Sequence, residues 1–394
     1  MIRALQLNQK LKNSSETKIT RRILMKQLFR SSHLLLILLA ALLFSCFSCG
    51  GGDSSSSGGS YYSGGGSSGS ASPTPTATAA IVTSDAVYHA PTVDRKYSYY
   101  HYIPSSSLSR KSPVRVLLYC NGGPPLEVVG SNDYSAWESY VKNSEFPQIK
   151  PYCDTYGYAL IMMVVPTLNS TTYPDYTMNT TSMVRWVMFD NSFDGQITNS
   201  AFYKRPDLVF VKVIDEFNSY LTNNGFTPYS RVFMTGYSAG AMQTNRFSML
   251  FPDKVAAAGI GAAGLYIFPL DTYNGTNLIY ATGTSDMAQI SGNAYSLGSY
   301  KSIPHLVYTG SDDTNDPMNG SNSATDEEKN IIRNNAALFG QSNSPVDRTQ
   351  KFANYLQSIG MQCTYKSYSG VGHQLTSDML NDTFKFFDSV TPRN

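Results

Sequence analysis

An α/β domain with a mainly parallel central sheet and helices on both faces is predicted by three features of the chain. Strand-like and helix-like segments alternate from Arg95 onward. Several strand-like runs are apolar without alternation, as in strands covered on both faces. A serine flanked by glycines stands where one such run gives way to a helical pattern.

The elements follow in order. "RKYSYYHYIP" and "VRVLLYC" read as early strands, the second apolar enough for the sheet centre. "DYSAWESYVKN" is a helix with Trp137, Tyr140 and Val141 on one face, and "YALIMMVVP" is a buried strand. In "DLVFVKVIDEFNSYL" the residues Phe210, Val213, Ile214, Phe217 and Leu221 recur at helical spacing. "RVFMTG" is then a strand, and "AGAMQTNRFSMLF" a helix stopped near Pro252. "LIYATGTSD" and "PHLVYTGSDD" each read as strand, glycine and acidic loop. "SPVDRTQKFANYLQSIG" is a helix with Ser344 as its cap and Pro345 at its first position. A last strand in "YKSYSGVGHQL" ends at two glycines before a C-terminal helix.

Upstream of the domain the composition changes. Residues 47–79 are Gly/Ser-rich and then Pro/Thr-rich, with too little apolar surface to offset the entropy of ordering, so a flexible tether is expected. The folded domain is expected over 80–394, about 315 residues, which suits one large α/β unit. Residues 1–46 have the layout of an export signal: Lys26 and Arg30, an apolar run from Leu34 to Phe44 too short to span a membrane comfortably, then small residues. Met25 is the more natural start of that signal. The run ends Leu43-Phe44-Ser45-Cys46 and resembles a bacterial lipoprotein signal, which implies a lipid on Cys46. The expected location is therefore extracytoplasmic, on the cell envelope or secreted, with membrane contact through that lipid only. A formal net charge of +2, without a basic cluster interleaved with aromatics, speaks against nucleic-acid binding.

Three of the five cysteines, Cys120, Cys153 and Cys363, fall in the domain. In an oxidising compartment that count allows one disulfide and one thiol, with the pairing open. No Cys/His spacing matches a zinc site, and neither metal nor organic cofactor is expected.

The pattern Gly-x-Ser-x-Gly occurs twice, around Ser238 and around Ser67. Ser67 lies in the tether with neither strand nor helix beside it. Ser238 sits at a strand-to-helix turn, where Gly236 and Gly240 allow the tight bend that exposes a nucleophile. The helix N-terminus then faces the site, and the Ala239 amide can donate to an oxyanion. A second donor is expected at Gly122 or Gly123 in "LLYCNGGPP". Among the five histidines, His373 ends a strand before the last helix and is the expected base. His33 is in the signal, His89 and His101 precede the sheet core, and His305 begins a strand, where a packing role is expected. For the orienting acid, Asp313 is favoured and Asp286 is the alternative, since both follow a strand and a glycine at the same offset.

"VRVLLYCNGG", "RVFMTGYSAGAMQ", "FPDKVAAAGIGAAG", "IPHLVYTGSDD" and "GVGH" together resemble the extracellular polyhydroxybutyrate depolymerase and feruloyl or acetylxylan esterase group of α/β-hydrolases, from about Arg95 onward. The resemblance implies the α/β-hydrolase fold and ester hydrolysis by Ser238, His373 and Asp313. "RWVMFDNSF" stands where that group has a Trp-containing loop beside its site. Two departures bear on substrate: Asn121 replaces a common histidine, and residues 265–302 and 320–343 read as insertions. The expected substrate is an acyl ester on a polysaccharide. The alternatives are a polyhydroxyalkanoate depolymerase-like polyesterase, a serine peptidase, and a non-catalytic glycan-binding lipoprotein using its many tyrosines for stacking.

Overall fold

Eight strands form the central sheet of the computed structural model, which describes residues 81–92, 97–109, 113–122, 134–165, 206–292, 294–319 and 326–390. They are β1 (Val87–His89), β2 (Tyr99–Tyr102), β3 (Arg115–Cys120), β4 (Tyr158–Met163), β5 (Val232–Tyr237), β6 (Val255–Gly261), β7 (His305–Gly310) and β8 (Cys363–Tyr368). Their order across the sheet is β1-β2-β4-β3-β5-β6-β7-β8. β2 is antiparallel to both of its neighbours, and every other pairing is parallel. This order, with the second strand alone reversed, is that of the α/β-hydrolase fold. The segments expected to form an export signal with Cys46, a tether and the "RWVMFDNSF" loop lie outside the described residues.

Period-two alternation decides which residues meet which helix layer. On β3, Val116, Leu118 and Cys120 belong to one core, and Leu117 and Tyr119 to the other. On β4 the split is Ala159, Ile161 and Met163 against Tyr158, Leu160 and Met162. The first core is closed by helices α2 (Pro206–Asn223), α3 (Ala239–Leu250) and α4 (Pro345–Ser358), through residues such as Phe210, Phe217, Phe247 and Phe352. The second is closed by α1 (Phe146–Tyr156) and α5 (Ser377–Ser389), through Phe146, Ile149, Phe384 and Phe387. Because both faces are covered, β3, β4, β5, β6 and β7 carry almost no exposed side chains, which is why they read as unbroken apolar runs.

Local signals set the helix ends. Ser344 accepts the Asp347 amide through its side chain and Pro345 opens α4, as expected from the sequence. Thr376 caps α5 in the same way, accepting from the Met379 amide. The helix through Trp137 is interrupted: Tyr134–Tyr140 passes through a π turn, Val141–Glu145, into α1.

The insertion expected over 265–302 covers α3. Phe268 and Ile267 are fully buried, and Asn245 on α3 accepts the Ile267 amide at 2.8 Å. This second cover explains why α3 is buried from Gly240 to Leu250, polar residues included. "LIYATGTSD" does not join the sheet. Leu278 and Tyr280 are buried, so the run is apolar because it packs inside the insertion, and Asp286 accepts the Tyr280 amide at 2.7 Å in a local turn.

The three domain cysteines form no disulfide. Cys120 and Cys153 lie in cores on opposite faces of the sheet. Cys363 is on β8, four strand positions from β3, or about 19 Å at the usual interstrand spacing, whereas a disulfide needs Cα atoms within about 7 Å. Burial pushes all three thiols up, which leaves them protonated and inert.

Candidate active site

The chain leaves β3 outward to β4 and returns on the other side of β3 as β5, so a crevice opens at the carboxyl ends of β3 and β5. Ser238 lies there, between β5 and α3, with φ 56° and ψ −120°. A non-glycine residue in that region is strained, and such strain persists only where the surroundings hold it. Here the Ser238 amide donates to the Gly261 carbonyl of β6 at 2.8 Å, and the Ser238 carbonyl accepts from Ala241 and Met242. The flanking glycines make the bend sterically feasible. A Cβ on Gly236 would strike the Gly240 backbone, and one on Gly240 would strike the Cys120 carbonyl and reach 2.9 Å from the Asn121 carbonyl. Gly240→Ala is therefore expected to cost about 3 kcal/mol or more, because backbone on both sides must shift. Urea unfolding measures this, and a midpoint equal to the parent's would contradict it.

β7 and β8 are parallel neighbours, so the loops that follow them emerge side by side. Three hydrogen bonds tie these loops together: Ser311 amide to Tyr368 carbonyl (2.8 Å), Asp312 amide to Val371 carbonyl (2.9 Å) and Gly370 amide to Ser311 hydroxyl (2.9 Å). Gly310 permits the approach, since a Cβ there would run into the Val371 and Gly372 carbonyls. The first loop carries Asp313 and the second His373. Asp313 Oδ2 is 2.9 Å from His373 Nδ1, and His373 Nε2 is 2.9 Å from Ser238 Oγ. Asp313 Oδ1 accepts the Asn315 amide at 2.9 Å, which fixes the carboxylate rotamer. The Asp313 side chain is 1% exposed and that of His373 22%, so the carboxylate is shielded while the imidazole faces the crevice. The Tyr237 ring packs beside His373 with centroids 5.2 Å apart.

The fixed position of the acid loop has a further support. Arg348 on α4 is 2% exposed, pairs with Asp316, and donates to the Gly264, Gln341 and Ser342 carbonyls. Asp316 accepts the Met318 amide, so the acid loop, the β6 exit and the second insertion are clamped by one guanidinium.

Ala239 opens α3, and the first amides of a helix have no intrahelical acceptor, so its N–H is available at the elbow. Gly122 differs from expectation. Its amide donates to the buried Glu145 carboxyl at 2.9 Å and is committed there, while Gly123 lies outside the described residues. Asn121 is also structural: its side chain accepts from the Val165 amide and donates to the Val165 carbonyl, pinning the ends of β3 and β4 together. Neither role shows in the sequence, where Glu145 sits in a polar stretch, "VKNSE", without a motif.

The other histidines stand apart from the relay. His305 is fully buried on β7, with Nδ1 on the Ile303 carbonyl, and burial lowers it to about 4. His89 and His101 meet at 2.6 Å between β1 and β2. Among the described residues no three metal-ligating side chains gather.

No family model matches the chain, and no curated protein matches it. Solved structures do resemble it in backbone. A poly(3-hydroxybutyrate) depolymerase from Bordetella parapertussis is 13% identical with a TM-score of 0.48, over 80% of this chain and 94% of that one. Poly(aspartic acid) hydrolase-1 from Sphingomonas sp. KT-1 is 16% identical with a TM-score of 0.44, over 74% and 92%. A siderophore hydrolase from Aspergillus nidulans is 13% identical with a TM-score of 0.41, over 82% and 99%. The fold itself is carried by the strand order and the single reversed strand.

Proposed function

We propose that the chain is a serine carboxylesterase that uses Ser238 as nucleophile, His373 as general base and Asp313 as the orienting acid. The observation that supports this most is the pair of 2.9 Å hydrogen bonds linking Asp313, His373 and a backbone-strained Ser238. Structural ion pairs do not call for a serine at φ 56°, whereas a nucleophile held out of the backbone does.

In this reading Ser238 Oγ attacks the ester carbonyl and its proton passes to His373 Nε2. Asp313 holds the imidazole through Nδ1–H and stabilises the imidazolium. The Ala239 amide donates to the tetrahedral oxyanion, a contact of this kind contributing on the order of 3 kcal/mol to the barrier. Collapse breaks the C–O bond, and the alcohol leaves with the proton from His373. Water, deprotonated by His373, then attacks the acyl-enzyme, releasing the acid and restoring the Ser238 hydroxyl.

For substrate we infer short acyl or aromatic acyl esters on a polysaccharide. The segment after β6 begins next to Gly261, whose carbonyl receives the Ser238 amide, so it leaves the sheet at the nucleophile. It carries the polar hairpin "LDTYNGTN", whose strands are Thr272–Tyr273 and Thr276–Asn277. Tyrosine faces and amide groups of this kind suit sugar hydroxyls. The test compares kcat/KM on p-nitrophenyl esters of increasing acyl length, methyl ferulate and acetylated xylan. Highest efficiency on acyl chains of about ten carbons or more, without release from xylan, would overturn the substrate reading, because acyl discrimination reflects pocket contacts in the transition state.

A further inference from the structure

The carboxyl of Glu145 is not used by the chemistry just described, yet it holds the Gly122 amide at the exit of β3, beside the strand that leads into Ser238. It closes the π turn Val141–Glu145, a local unwinding of the kind often found at functional sites. The residue is 5% exposed. Its Oε1 accepts the Gly122 amide at 2.9 Å, and the Tyr140 side chain faces the same carboxyl. Gly122 is wedged between this carboxyl and the elbow: a Cβ there would lie 3.3 Å from the Tyr237 carbonyl and 3.6 Å from Glu145 Oε1. Tyr237 directly precedes Ser238, so Gly122 lies against the strand end that leads into the Ser238 turn.

We propose that Glu145 is a positioning residue for the esterase reaction, holding the exit of β3 against the Ser238 elbow through the Gly122 amide. The inference rests on the esterase reading above. The titratable groups that face the carboxyl are Tyr119 and Cys120 on β3 and Tyr140 on the preceding helix. Burial pushes all three up, so they are uncharged, and among the described residues no cation faces Glu145. Burial accordingly raises Glu145 to about 8, against the partial opposition of the Gly122 amide and the Tyr140 side chain. Below that pH the neutral carboxyl keeps its acceptor oxygen on Gly122. Above it, the Gly122 amide and the Tyr140 side chain are left to hold a buried carboxylate without a cation, a cost that movement of Glu145 toward water, and of Gly122 with it, relieves.

The experiment is the pH dependence of kcat on p-nitrophenyl acetate for the parent, Glu145→Gln and Glu145→Ala, with fluorophosphonate labelling of Ser238 run in parallel. Parent kcat is expected to fall above about pH 8, and Glu145→Gln, which keeps the acceptor and cannot ionise, is expected to lose that fall. Glu145→Ala is expected to lower kcat about tenfold or more at pH 7 with KM nearly unchanged. An alkaline fall that persists in Glu145→Gln overturns the proposal, as does parental kcat in a folded Glu145→Ala. If Glu145→Ala does not fold, the Glu145→Gln profile decides alone. A parent that neither turns over ester nor takes the label refutes the esterase reading instead, so the two failures are distinguishable.

Discussion

Replacing Ser238 by alanine is expected to lower ester turnover by a factor on the order of 10^6, leaving only what binding and oxyanion stabilisation supply without a nucleophile. The fold is expected to survive. Alanine keeps the Cβ, so the backbone strain at φ 56° is neither relieved nor increased, and the Ser238 amide and carbonyl keep their bonds to Gly261, Ala241 and Met242. What is lost is one hydroxyl and its 2.9 Å bond to a partly exposed histidine, a change of about 1 kcal/mol. Ser67→Ala is the internal control, because Ser67 stands in the same five-residue pattern without strand or helix around it. Turnover of p-nitrophenyl acetate beside thermal unfolding checks both halves. Parental turnover in a folded Ser238→Ala would end the hydrolase reading, and a large loss in Ser67→Ala would show that the pattern had been read at the wrong serine.

Much of the arrangement around Ser238 was legible because single residues announce it. Gly236 and Gly240 stand where any Cβ would strike backbone, and that requirement is visible as spacing. Ser344 and Pro345 announce a helix start, and α4 begins there. The apolar runs of β4, β5 and β7 follow from burial on both faces. The same logic misleads at Leu278–Tyr280, since burial inside an insertion makes a run as apolar as a strand does, and composition does not distinguish the two. Glu145 and Asn121 were illegible for a different reason. Each acts through a contact across the fold, on Gly122 and Val165 respectively, and nothing in their neighbourhoods marks the partner. The thiols belong with these, because only the sheet order reveals that Cys120, Cys153 and Cys363 are kept apart by faces and strands.

Asp313→Asn is expected to lower kcat about 10^4-fold, whereas Asp286→Asn is expected to leave it close to the parent's. The difference follows from what each carboxylate holds. Asp313 Oδ2 meets His373 Nδ1, so the proton sits on Nδ1 and leaves Nε2 to accept from Ser238. An asparagine side chain at 313 has one oxygen, and the Asn315 amide competes for it from the other side of the group. If the oxygen satisfies Asn315, the amide NH2 points at His373 Nδ1 and selects the tautomer with hydrogen on Nε2, which no longer takes the Ser238 proton. Should the oxygen turn to His373 instead, the Asn315 amide loses its acceptor in a 4%-exposed setting, and the negative charge that stabilises the imidazolium is gone in either case. Asp286 accepts the Tyr280 amide in a turn of the insertion, a bond that an asparagine oxygen reproduces. Steady-state kinetics on both variants separates the two acids. A loss in Asp286→Asn as large as that expected for Asp313→Asn would mean that the acid acting on His373 is not the one 2.9 Å from its Nδ1.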